Sequence, residues 1–60
     1  MTRQEALAEA QRRWGADAGC SVVVVGDAAT YIVGSGEDVT LGGWGGSWTA
    51  AFEDADRRAK

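Results

Sequence analysis

The stretch that decides the fold runs from Cys20 to Val33 and reads CSVVVVGDAATYIV. Its first half, Cys20 to Val25, contains four consecutive valines, β-branched residues that suit a pleated strand. Thr30 to Val33 is a second run of strand-forming residues, and Gly26-Asp27-Ala28-Ala29 between the two predicts a turn. Because a parallel pair needs a long crossover, a connection this short predicts antiparallel strands.

A third strand is predicted after a second turn. Gly34-Ser35-Gly36-Glu37-Asp38 is rich in turn-forming residues, and Val39-Thr40-Leu41 begins a strand that can extend to Trp44. The glycine-rich segment Gly42–Gly46 has two interpretations. Such a segment can cradle phosphate at a helix N-terminus, but the lysine of a phosphate-binding loop is missing. The other interpretation is a turn that lets the sheet and the following helix approach closely.

Helices are predicted on both sides of these strands. The first spans Arg3 to Trp14, since Thr2 and Glu5 form a capping-box pattern. The second spans Trp48 to Arg58, with Ser47 as its N-cap. The predicted layout is α-β-β-β-α, an α+β fold with two helices packed on one face of a three-stranded antiparallel sheet. We expect residues 1–60 to form a single domain.

The core of so short a chain must be thin, because a domain of this size hides only about 60% of the surface that its unfolded form exposes. Apolar residues at helical spacing and on one set of strand positions predict its members. We expect it to contain Leu7, Ala10, Trp14, Val22, Val24, Leu41, Phe52 and Ala55.

The composition argues against catalysis. The chain has no histidine, which excludes His-based nucleophilic catalysis and His-containing zinc sites, and its single cysteine cannot form an internal disulfide. We expect Cys20 to be an inert, buried thiol. The sequence therefore predicts a protein that is not an enzyme, with no catalytic residues, no cofactor and no metal site.

The charge and the apolar runs bear on location and partners. A formal charge of -3 argues against direct binding of nucleic acid, which requires clustered Lys and Arg. The first residues are polar and the longest apolar run is Val22–Val25, so neither a signal peptide nor a membrane span is predicted. We expect a cytoplasmic monomer that does not bind membranes.

The acids have a distinctive distribution. No Lys or Arg occurs between Trp14 and Asp56, although that stretch contains seven acids. Helical spacing pairs some acids with arginines, namely Glu9–Arg13, Glu53–Arg57 and Asp54–Arg58. The topology gathers others at one end of the domain, namely Asp17, Glu37, Asp38 and Asp56. These four either neutralise the arginines that lie at the same end or form an acidic patch for a basic partner.

A second candidate surface is the sheet face that the helices leave open. Valines fall on both sides of the first strand, and Tyr31, Ile32, Val33 and Trp44 cannot all point inward. Exposed apolar and aromatic residues are typical of protein-contact patches, which makes Tyr31 and Trp44 candidate contact residues. The alternative is that Trp44 folds over an edge of the core.

The α-β-β-β-α order and the length resemble the double-stranded RNA-binding domain. That family reads RNA through basic residues at the start of its second helix and a His-containing loop between its first two strands. Those places hold Ser47-Trp48-Thr49-Ala50 and Gly26-Asp27-Ala28-Ala29 here, so none of its RNA-binding residues carries over.

The short length and the acidic stretch ending in Glu53-Asp54-Ala55-Asp56 are similar to those of small phage-encoded anti-CRISPR proteins. This resemblance implies a non-enzymatic inhibitor in the host cytoplasm that binds a CRISPR effector subunit or another nucleic-acid-binding protein. Its carboxylates would stand where DNA phosphates lie, on a surface rich in Lys and Arg. The alternative is a small structural or assembly module that docks through its open sheet face.

The first prediction concerns nucleic acid itself. Because the central part of the chain lacks bases, the purified protein should bind neither duplex DNA nor double-stranded RNA at physiological salt. A gel-shift titration checks this, and submicromolar binding of either nucleic acid would contradict it.

Overall fold

The computed structural model describes residues 1–36 and 42–59. The elements follow the predicted order, α1 (Arg3–Trp14), β1 (Gly19–Val25), β2 (Ala28–Gly34), β3 (Gly42–Gly45) and α2 (Trp48–Arg58). The three strands form one antiparallel sheet with the order β1-β2-β3. The predicted α+β fold is therefore confirmed.

Both helices begin at the predicted caps. The Thr2 hydroxyl accepts a hydrogen bond from the Glu5 backbone N–H at 3.2 Å, and the Glu5 carboxylate accepts one from the Thr2 N–H at 2.8 Å. The bond from the Thr2 N–H holds the pKa of Glu5 below its ordinary value. In α2, the Ser47 hydroxyl accepts from the Ala50 N–H at 3.1 Å. These side chains satisfy backbone donors that a helix start leaves unpaired.

The β1–β2 hairpin is longer than predicted, because its turn contains only two residues. Val25 pairs with Ala28, so Gly26 and Asp27 alone connect the strands, and β2 begins two residues before Thr30. Gly26 has a φ of 60°, while no described non-glycine residue has a positive φ. This is the type II′ pattern, whose twist matches that of the two flanking strands.

The glycine-rich segment contains the whole of β3, which is Gly42–Gly45, and is not a turn. A Cβ atom on Gly43 would overlap the backbone of Ala51 and Ala55, and one on Gly45 would lie 2.7 Å from the Ala50 Cβ. The predicted close approach of sheet and helix is therefore confirmed, although within a strand. The predicted strand start, Val39-Thr40-Leu41, lies outside the described residues.

The strand register separates two faces of the sheet. Residues that are paired directly across an antiparallel ladder share a face. Val33 pairs with Cys20 on one side and Gly43 on the other, and this face packs against the helices. The opposite face, which we call the open face, carries the residues Ser21, Val23, Val25, Thr30, Ile32 and Trp44.

The core lies between the helices and Val33. Its largest contributions are Phe52 and Trp48 of α2, and the Phe52 ring stacks on that of Trp14 with centroids 6.1 Å apart. Among the predicted members, Ala10, Phe52 and Ala55 are buried and Trp14 is half-buried, whereas Leu41 lies outside the described residues. Five further residues are buried that the expected core did not name, namely Ala6, Ala18, Val33, Trp48 and Ala51.

Three predicted core residues are wrong, because Leu7, Val22 and Val24 are exposed. In α1 it is Ala6 and Ala10 that turn towards the sheet, since small side chains allow the closest approach, and this rotates Leu7 outward. Val22 and Val24 share a face with Val33 but lie further along β1. The first turn of α1 lies over Cys20, whose Sγ is 3.9 Å from the Arg3 carbonyl oxygen, and the helices do not cover the strand beyond it.

Phe52 should dominate the stability of this core. Its replacement by alanine removes a buried ring that contacts both helices, and Phe52→Ala should cost about 3 kcal/mol or more. Gln4→Ala, at an exposed position of α1, should change stability by less than about 0.5 kcal/mol. Denaturant unfolding of both variants checks this, and equal stabilities would contradict the placement of α2.

Candidate docking surfaces

Trp44 is the largest exposed side chain of the open face. It lies on β3 directly opposite Ile32, and 58% of it is exposed. It therefore does not fold over the edge of the core, which was one of the two interpretations. On the same face, exposed Thr30 lies diagonally from Trp44 on β2, and exposed Val23 lies opposite Thr30 on β1, so Trp44 and Ile32 continue into a larger exposed surface.

The Trp44 backbone is fixed by α2. Its N–H donates a hydrogen bond to Asp54 Oδ2 at 3.1 Å, and Arg58 Nε donates to the same oxygen at 2.8 Å. The Arg58 guanidinium lies 5.4 Å from the centre of the Trp44 ring, within cation–π range. The Trp44 N–H, and after it Arg58, hold the pKa of Asp54 below its ordinary value. Trp44 is thus presented from a preorganised position.

Tyr31 lies on the opposite side of the sheet from Trp44. It is half-buried, and its ring meets that of Trp48 edge-on, with centroids 4.8 Å apart. The sequence placed Tyr31 and Trp44 on one surface, but their strand positions alternate between the two faces. Tyr31 therefore contributes to the packing of α2, and Trp44 alone provides an exposed aromatic ring on the open face.

The helical acids are largely paired with arginines. Arg13 Nε lies 2.6 Å from Glu9 and its Nη1 lies 2.7 Å from Asp56, while its guanidinium stacks 4.8 Å from the Phe52 ring centre. The pKa of Glu9 is held below its ordinary value. The largest cause is the hydrogen bond from Arg12, and the next is the hydrogen bond from Arg13. Glu9 in turn raises the pKa of Arg13, with a smaller effect from Asp56. The ion pair between Arg13 and Asp56 agrees with the interpretation that the acids at this end neutralise nearby arginines.

One predicted ion pair is replaced by another. Asp54 pairs with Arg58 as expected, at 2.8 Å, but Arg57 also pairs with Asp54, at 3.2 Å, and not with Glu53. Helical spacing places both Glu53 and Asp54 within reach of Arg57. Arg57 pairs with Asp54 because the Trp44 N–H already fixes the Asp54 carboxylate. Glu53 is exposed and has no ion pair within the described part of the chain.

Asp17 is exposed between α1 and β1, close to the chain that follows β2. A Cβ atom on Gly36 would overlap the Asp17 backbone, so residues 17 and 36 are in direct contact. The predicted site residues Glu37 and Asp38 lie outside the described residues. A shallow groove of about 380 Å³ lies beside Asp17, on the open face between β1 and β2, and Ser21, Ile32 and Gly34 contribute to its wall.

Other kinds of site find little support. In the described ranges, no group of three His, Cys, Asp or Glu residues could hold a metal ion. Cys20 is half-buried against the core. Over the same ranges, no helix has the length and apolar character needed to cross a membrane.

No family model, curated protein or solved structure matches the chain. Its function must therefore be inferred from its own surfaces.

Asp54 should make the stability depend on pH. Because folding lowers its pKa from 3.8, its contribution is complete above that value and is lost as the pH falls towards the folded value. Asp54→Asn should therefore lower the stability at neutral pH and flatten its decline in acid. Thermal unfolding between neutral and acidic pH checks this against Glu53→Gln, an exposed neighbour. Identical pH profiles for the two variants would contradict the role of Asp54.

Proposed function

We propose that this protein is a non-enzymatic docking module that binds a protein partner through the open face of its sheet. The observation that carries the proposal is Trp44, which is exposed beside Ile32 on the face that the helices leave uncovered. Tryptophan is among the residues most enriched at binding hot spots, because it buries a large apolar area with few torsions to restrict.

The contacts around Trp44 make it better suited to bind a partner than an exposed tryptophan with a freely moving side chain. Its backbone is held by Asp54 and its ring by Arg58, so little conformational freedom remains to be lost when a partner binds. Thr30 and Gly45 border an open depression of about 410 Å³ next to the ring, which gives a partner side chain room to pack. Because this depression is open and shallow and not an enclosed cleft, it favours a protein over a small molecule.

A second candidate function is inhibition of a nucleic-acid-binding protein, such as a CRISPR effector subunit, by an acidic surface. The contact between Asp17 and Gly36 favours it, because it brings Asp17 beside the residue that precedes Glu37 and Asp38. Asp56 contributes less, since Arg13 neutralises it. Carboxylates clustered at this end would be attracted to a surface built for phosphates.

Affinity capture from the cell of origin, followed by mass spectrometry, tests the docking proposal. Trp44→Ala should lose the main captured protein, with a loss of about 2 kcal/mol or more in binding free energy once that partner is purified. Gln4→Ala, an exposed position on the first turn of α1, is the matched control and should bind as the unaltered protein does. Equal capture by Trp44→Ala and Gln4→Ala contradicts docking through the open face.

Charge reversal and salt distinguish the second candidate. Binding through apolar contacts should persist at high ionic strength, whereas binding through exposed carboxylates should weaken steeply. The variant Asp17→Lys, Glu37→Lys, Asp38→Lys should abolish binding if the acidic end makes the contact. If this variant binds normally and Trp44→Ala does not, the acidic end is only a solvated surface.

A further inference from the structure

The two edge strands of the sheet, β1 and β3, differ in how far the helices cover them. At the outer edge of β3, the Trp44 N–H donates to Asp54 of α2, so this donor is not available to a further strand. At the outer edge of β1, α1 contacts Cys20, and every residue from Ser21 to Thr30 is exposed. An open strand edge presents unpaired N–H and C=O groups to any strand that can align with it.

The side chains of β1 include none of the residue types that prevent an edge strand from pairing with a strand of another chain. The exposed fraction rises along the strand from 39% at Val22 through 45% and 66% to 73% at Val25. The strand contains no charge and no proline, which are the residues that natural edges use to prevent association. Because valine favours pleated pairing on both faces of a strand, β1 is suited to the interior of a larger sheet.

We propose that two copies of this chain pair through β1, in place of the monomer that the sequence suggested. The strands run antiparallel about a two-fold axis normal to the sheet, with Val23 opposite Val23 of the second copy. Such an axis keeps residues of one face together, so Ser21 pairs with Val25 and Val22 with Val24. The result is a six-stranded sheet with both open faces on one side.

Charge complementarity favours a second copy as the occupant. This register brings the turn residue Asp27 of one copy opposite Gly19 at the start of β1 in the other, next to Cys20, whose Sγ contacts the backbone carbonyl of Arg3. Neither Arg3 nor Asp27 has an ion-pair partner among the described residues of its own chain. The two-fold axis would form this pair twice.

The edge of β3 disfavours growth beyond two copies. After the β1 edges have paired, the outermost strands of the six-stranded sheet are both β3, whose Trp44 N–H is already bonded to Asp54 and cannot donate to a further strand. This lost donor disfavours a longer sheet. This inference does not rest on the proposed function, because it uses the strand edge and not Trp44.

Molecular mass in solution tests the dimer. Sedimentation equilibrium over a dilution series should give twice the 6.3 kDa chain mass at high concentration. Val23→Lys, which places two ammonium groups together on the axis, should raise the dissociation constant about tenfold or more. Thr30→Lys is the matched control, since it is exposed on the same face opposite Val23 but in the central strand, and it should remain dimeric.

Disulfide cross-linking tests the register. In a Cys20→Ser background, Val23→Cys places two thiols in directly opposite residues, whose Cα atoms lie about 4.5–5.5 Å apart, within disulfide range. Thr30→Cys places them three strand spacings apart, about 14 Å, which is too far. Val23→Cys should therefore form a covalent dimer on mild oxidation, and Thr30→Cys should not.

Three results would overturn the proposal. They are a mass of 6.3 kDa at the highest concentration, a dimer that Val23→Lys leaves intact, and equal cross-linking of the two cysteine variants. Trp44→Ala should leave the mass unchanged. Loss of partner capture with an intact dimer would thus separate the docking surface from the self-association surface.

Discussion

Two glycines in β3 allow α2 to lie directly against the backbone of that strand, and the other contacts follow from this approach. Gly43 lies under Ala51 and Ala55, and Gly45 lies against Ala50, so the helix and the strand meet without intervening side chains. At this distance the larger side chains of α2 pack on either side of the glycines. Phe52 packs against Trp14, and Trp48 packs against Tyr31. A thin core can therefore hold two helices and a sheet together.

The same approach makes the domain asymmetric. Because α2 lies so close to β3, Asp54 accepts a hydrogen bond from the Trp44 N–H at that edge, and the Arg58 guanidinium lies over the exposed ring. On the other side, α1 covers only the beginning of β1, and the hairpin beyond Cys20 extends past both helices. One side of the sheet therefore has an edge donor bonded to a helix and carries an exposed aromatic ring, and the other side offers an uncovered strand edge.

The sequence predicted what local chemistry determines. The Thr2–Glu5 box, the Ser47 cap and the valine run identified three of the element positions closely, because each depends on residues a few places apart. The exposure of Val22 and Val24 could not be predicted, since it depends on where α1 ends over the sheet. The Trp44–Asp54 bond joins two elements and leaves no periodic signal. The face of Tyr31 depended on strand register, which a shift of one residue would reverse.

The most direct test of this account is the effect of a single methyl group at Gly43. An added Cβ there would overlap helix backbone, which cannot move aside, so Gly43→Ala should destabilise the protein by about 2 kcal/mol or more in denaturant unfolding. At Gly46, where a Cβ would meet open space, the same substitution should be neutral or stabilise by about 0.4–1 kcal/mol through the unfolded state. A Gly43→Ala protein as stable as the Gly46→Ala protein would contradict the close contact of α2 with β3.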